Sequence, residues 1–253
     1  MPASRAFLFS ILLVFPAFFL SSCLEGDEEY WINADASGRL RMDYKIPPTV
    51  VKNLGDYLGL FAALREIDAL EDGLKINELS AKLEAGKIHF ILDADFNDAR
   101  DLFSLAEKHA DILKKHFGSD DGRLKAAFGK IQLERDGRQL HFRRELDLAP
   151  MLPDIIRKNP AILGPATFNY SIHLPTPASS SNAEVTSADK RTLTWHAKLK
   201  KHTATPIILE LRAPIPYPKW LIPAGITLLM ALLFSLRFFW NKRQKRAPFH
   251  ERS

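Results

Sequence analysis

The chain has 253 residues, a net charge of +5 and a single cysteine. One cysteine excludes an intrachain disulfide and a zinc site built on several thiolates. The excess charge sits at the two ends, because residues 23–219 carry 28 basic and 29 acidic side chains. A body that neutral lacks the electrostatic footprint of phosphate binding, which argues against a nucleic-acid partner.

The chain begins with one charge, Arg5, followed by an apolar run over 6–20 that ends in Leu20-Ser21-Ser22-Cys23. A charged start, an apolar core and small residues before a cut describe a secretory signal. The spacing of those last four residues resembles the lipobox of bacterial lipoproteins, in which the cysteine takes a diacylglyceryl group and becomes the first mature residue. Residues 1–22 are therefore expected to be a lipoprotein signal peptide, with Cys23 lipidated. An ordinary signal peptide with a cysteine near its end is the alternative.

Residues 24–28 read as a short acidic spacer, and 30–33 as a strand leading to turn chemistry at 35–38. Over 39–46 Leu40, Met42, Tyr44 and Ile46 alternate with charged residues, which predicts a strand with one apolar face. From Thr49 to Leu70 apolar residues recur at helical spacing, and Gly55 and Gly59 fall within that helix. Such a pair in a water-soluble helix signals close packing, and the apolar stripe is what a core helix needs, though it could also open a groove against the sheet. A weaker helix is predicted over 77–85 and a strand over 87–95. A further helix follows, capped by Asn97 and striped by Leu102, Phe103, Ala106, Ala110 and Leu113.

Asp136-Gly137 between 124–134 and 139–146 predicts a hairpin, with Arg144 interrupting the face shared by Leu140, Phe142 and Leu146. The proline-punctuated 149–165 stretch reads as a loop with a short helix near 154–157. Strands are expected over 167–174, 191–199 and 207–212. The order predicts an α+β fold with a largely antiparallel sheet and two or three helices. Residues 220–240 have the length and apolarity of a membrane span, with tryptophans at both ends and a basic cluster over 242–246. The expected organisation is thus a signal peptide over 1–22, an extracytoplasmic domain over 23–218, one C-terminal transmembrane helix over 219–241 and a basic cytoplasmic tail over 242–253. That arrangement places the protein in the bacterial cytoplasmic membrane.

Residues that could carry chemistry are few. Asp93-Ala94-Asp95-Phe96-Asn97-Asp98 starts like a calcium loop but has Asp98 and Ser104 where glycine and glutamate are needed, so a strand running into a capped helix is expected and no metal site. His89, His141 and His196 fall opposite the apolar faces of their strands, and Trp195 falls on one. Arg135, Arg138, Arg143 and Arg144 make a basic hairpin that reads as a solvated edge, or as a contact for anionic headgroups. No hydrolase, zinc-protease or phosphate-loop motif occurs, so no catalytic residue and no cofactor are expected.

Thr167-Phe168-Asn169-Tyr170-Ser171-Ile172-His173-Leu174-Pro175, then Asn182, then Thr192-Leu193-Thr194-Trp195 and a closing strand over 207–212 resemble the LppM-like envelope lipoproteins. The resemblance implies a lipobox, an α+β ectodomain and an envelope or lipid-related role without a defined catalytic set. The expected function is a membrane-anchored lipoprotein whose ectodomain is a non-catalytic binding or assembly module. Its expected partners are membrane lipids, through the acyl anchor and the transmembrane helix, and a lipid or envelope-protein ligand. An envelope enzyme and a purely structural tether are the alternatives.

Overall fold

The computed structural model describes residues 24–48, 57–117, 128–152 and 154–216, together with 223, 226, 227, 229 and 230. Its first element, β1 (Glu25–Ile32), takes in the acidic residues expected to be a spacer. They form a strand because their alternation is complete: Gly26, Glu28 and Tyr30 point inward, while Asp27 and Glu29 point out. An Asp35-centred turn, in which Asp35 accepts from the Ser37 N–H at 3.2 Å, leads into β2 (Gly38–Ile46). Leu40, Met42, Tyr44 and Ile46 share the inner face of β2, as its alternation predicts.

After α1 (Tyr57–Leu70) come β3 (Leu74–Glu84) and β4 (Lys87–Phe96), paired antiparallel. The stretch expected to be a weak helix is therefore strand β3. Its turn explains the difference: Ala85 and Gly86 both take positive φ, at 50° and 78°, the two-residue geometry that closes a twisted hairpin. The apolar spacing of Leu79 and Leu83 fits a helix turn as readily as a strand paired along its whole length, and pairing with β4 decided it.

The next helix is broken in two, α2 (Ala99–Lys108) and α3 (Ala110–Phe117). Asp98 rather than Asn97 caps α2, with its Oδ1 accepting the Arg100 N–H at 2.8 Å. The break falls at His109, whose backbone leaves helical geometry at φ −110°, ψ 32° and whose ring reaches Glu71 at 2.6 Å. Beyond α3, β5 (Lys130–Asp136) and β6 (Gln139–Leu146) form the expected hairpin. The proline-rich connection holds α4 (Asp154–Lys158) between two 3-10 turns. It leads to β7 (Thr167–His173), β8 (Ser180–Ser181), β9 (Val185–Thr186), β10 (Thr192–Lys198) and β11 (Ile207–Pro214).

The strands form two sheets. The larger runs β3-β4-β2-β1-β7-β10-β9 and the smaller β5-β6-β11-β8. Every pairing is antiparallel except β1 with β7, so the larger sheet is mixed. The inner face of the larger sheet packs partly on the helices and partly on the smaller sheet, in one core that includes Ile67, Tyr170, Leu193, Leu209 and Leu211. Rings mark the seam, where Phe103 of α2 lies 5.7 Å from Tyr30 and 5.1 Å from Phe142. Trp195 is buried in this core, as its alternation predicts, and its indole N–H donates to Asn182 at 2.7 Å. Gly59 lets α1 approach α3 closely, since a Cβ there would stand 2.3 Å from the His116 carbonyl oxygen. Gly55 lies outside the described residues.

The chain divides into two compact units, Met1–Ile215 and Pro216–Ser253. In the second, the described residues from 223 onward are helical, with Thr227 Oγ1 donating to the Pro223 carbonyl at 2.7 Å. The α+β class holds, but the transmembrane helix expected over 219–241 is corrected. No helix among the described residues is long and apolar enough to cross a membrane. Crossing takes about 20 apolar residues in a row, whereas α1 has 14 and its apolar face belongs to the core. Most of 219–241, the whole of 1–23 and the tail over 242–253 lie outside the described residues.

Candidate functional site

Between the larger sheet, the helices and β5–β6 lies a cavity of about 1010 Å³. Its lining follows from the alternation already described. Inner positions of β2 and β4 supply Met42, Ile88 and Leu92, and α1 and α2 supply Leu60, Leu64 and Ala106. Three exposed charged residues also line it, Glu107, Lys114 and Lys130, and they mark where the cavity meets solvent between the helices and β5.

One polar cluster interrupts the apolar wall. Glu28 of β1 and Arg144 of β6 are both buried, and Arg144 Nη1 donates to Glu28 Oε2 at 2.5 Å. A second contact, Nη2 to Oε1 at 3.4 Å, makes the pair a fork, and Arg144 Nε donates to the Phe128 carbonyl at 3.2 Å. The Tyr30 hydroxyl donates to Glu28 Oε2 at 3.0 Å and the Tyr44 hydroxyl donates to Oε1. Gly26 makes the Tyr44 contact possible, because a Cβ there would stand 2.6 Å from the Tyr44 ring. Arg144 also lies 5.2 Å from the centroid of the Tyr170 ring, in range of a cation–π contact.

Burial raises the Tyr30 and Tyr44 hydroxyls well above the ordinary tyrosine range, and the neighbouring Glu28 charge adds to the effect. Burial works against the Arg144 charge, but the attraction and hydrogen bond of Glu28, together with Tyr30 and Tyr170, outweigh it and raise the guanidinium pKa. The cluster thus sets two opposite charges against each other as one buried ion pair.

The other sequence-singled residues are structural. Arg39 Nε donates to Asp93 at 2.9 Å, Asp95 accepts from Asn77 at 2.8 Å and Asp98 caps α2, so the calcium-like run is a strand end entering a capped helix. His89 bonds Asp43 at 2.8 Å and Glu84 at 3.1 Å; His141 bonds Glu210, and His196 bonds Asn169. The four arginines of the hairpin do not form one basic patch, because Arg144 is buried while Arg143 pairs with Glu210 at 3.3 Å. Cys23 lies outside the described residues. Glu28 and its tyrosines escaped the sequence reading, although Arg144 on an otherwise apolar face was the visible half of their signal.

No protein-family model and no curated protein matches the sequence. Among solved structures, the chain is similar to the NMR structure of the folded domain of LppM from Mycobacterium tuberculosis. Sequence identity is 16% and the TM-score 0.44, over 77% of this chain and 91% of that one. At that level of likeness the reading of the site rests on its own residues.

Proposed function

We propose that the domain is a non-catalytic module that binds an acyl lipid in its cavity, at the outer face of a bacterial envelope membrane to which a lipidated Cys23 holds it. The carrying observation is the cavity of about 1010 Å³ with an apolar lining. That volume stands at the upper end of the range for ligand sites, about 300–1,000 Å³. Water finds few polar partners along such walls. An acyl chain gains about 0.8 kcal/mol for each buried methylene. The lipobox-like Leu20-Ser21-Ser22-Cys23 supports the same reading, since a lipid anchor there would concentrate a lipid binder at its source.

The test is a titration of the full-length protein in detergent with a fluorescent acyl probe. Saturable binding near one probe per chain is expected, weakened at least tenfold by Ala106→Phe, which projects a ring into the cavity. Binding unchanged in that variant would place the probe elsewhere and refute the reading, as would its absence. Turnover of ester substrates by the purified protein would refute the non-catalytic part.

A further inference from the structure

The Glu28–Arg144 cluster is not saturated on the arginine side. Glu28 accepts two donors at each oxygen, from Tyr30 and Arg144 at Oε2 and from Tyr44 and Arg144 at Oε1, which fills its capacity. Arg144 has five N–H groups, and three of them are taken, by the two Glu28 oxygens and the Phe128 carbonyl. One N–H on each terminal nitrogen lies outside these bonds. The buried Tyr170 hydroxyl takes one of them, since it interacts with the Arg144 guanidinium as well as with Tyr30, and a single donor remains among the described residues. Glu28, Tyr30, Tyr44 and Arg144 all face the cavity, whereas Tyr170 does not line it. A buried donor left unmade is costly, and here it adjoins a space fit for a ligand.

We propose that Arg144 hydrogen-bonds a neutral oxygen acceptor of the bound lipid, an ester carbonyl or a hydroxyl, so that the site prefers esterified lipids to free fatty acids. The proposal rests on the acyl-lipid reading of the cavity and names the ligand class within it. Its ground is charge. Glu28 already neutralises Arg144, so an ester oxygen completes the remaining donor at no electrostatic cost. A carboxylate would bring an uncompensated negative charge beside Glu28 in a buried site, which is strongly unfavourable. An acid can leave its charge at the solvent-facing rim, near Lys114 and Lys130: a ligand with an acidic headgroup then still keeps an ester oxygen deep, whereas a free fatty acid placed so leaves the Arg144 donor unmade.

The test compares a monoacylglycerol with the free fatty acid of the same chain as competitors of the acyl probe on the full-length protein at neutral pH. The monoacylglycerol is expected to bind at least tenfold more tightly. Arg144→Met alone leaves Glu28 buried and uncompensated and can unfold the domain. The double variant Glu28→Met with Arg144→Met removes both charges together, and its fold is checked by circular dichroism. In it the preference should fall below threefold. Equal affinity for the two competitors in the wild type would overturn this proposal while leaving the acyl-lipid reading in place. A preference that survives in the double variant would overturn it too. If neither competitor displaces the probe, the acyl-lipid reading itself fails, and the ligand class with it.

Discussion

Glu28 and Arg144 lie 116 residues apart in the chain and meet as a two-pronged ion pair in the wall of an apolar cavity, Nη1 to Oε2 at 2.5 Å. The pair ties the first strand of the larger sheet to the second strand of the smaller one. Cutting one side of a buried pair leaves the other charge stranded, at a cost of about 3–5 kcal/mol. Arg144→Met and Glu28→Met should each lower stability by that order in chemical denaturation. The double variant should recover part of the loss, because it strands no charge, although it leaves the Tyr30 and Tyr44 hydroxyls and the Phe128 carbonyl without these partners. A double variant no more stable than the worse single one would show that the pair is not one unit.

Gly26 predicts a sharper packing effect. It faces Tyr44 across the β1–β2 pairing, and any Cβ there drives the Tyr44 ring away from Glu28. Gly26→Ala should cost about 1–3 kcal/mol, the usual range for overpacking. In a Tyr44→Ala background the same change should be nearly free. An equal cost in both backgrounds would mean that the glycine serves something other than the tyrosine.

Two clamps hold α1 against α2 and α3 over the cavity. Glu66 bonds His116 at 2.7 Å and Lys115 at 2.9 Å, while Glu71 bonds His109 at 2.6 Å and Lys108 at 2.8 Å. Hydrogen bonds from His116 and Lys115 hold the Glu66 carboxyl below the usual range, and those from Lys108 and His109 do the same for Glu71. A depressed folded value means stability that is present above the unfolded carboxylate value, about 4.3. It is lost as pH falls through the lower folded one. The denaturation midpoint should therefore fall less steeply below about pH 4.3 in the Glu66→Gln, Glu71→Gln variant than in the wild type. Parallel profiles would remove the clamps from the acid sensitivity of the domain.

His89 shifts the other way. Burial opposes its charge, yet hydrogen bonds to Asp43 and Glu84 outweigh that and raise its pKa above the ordinary histidine value. Its contribution is fully present below about 6.5 and fades as pH rises through the higher folded value. Titration of the ring by NMR should show the raised value, and Asp43→Asn should bring it down. A midpoint indifferent to Asp43 would contradict the assignment.

Cys23 supplies a prediction for the N-terminal segment. Leu20-Ser21-Ser22-Cys23 at the end of an apolar run leads us to expect that Cys23→Ala abolishes acyl labelling in the native host and leaves unprocessed precursor. Normal labelling of that variant would remove the lipid anchor.

Much of the fold is legible in the sequence wherever burial imposes one period. The strands over 39–46, 87–95, 167–174, 191–199 and 207–212 were readable because each buries one face and exposes the other. The 77–85 segment was not, because its pairing partner and not its own pattern decides its state. Leu24 to Glu28 reads as a solvated spacer because three acids in five residues suggest water, and nothing local reveals that Glu28 turns inward. The candidate site was half legible. Arg144 stood out on an apolar face, but its partner lies in a distant strand, brought alongside by the long-range packing of the two sheets.

The most direct measurement is the affinity of the full-length protein for a fluorescent acyl probe, with and without Ala106→Phe. Saturable binding at one probe per chain, weakened at least tenfold by the variant, is the expected result. No binding, or binding that ignores the added ring, would contradict a lipid-filled cavity.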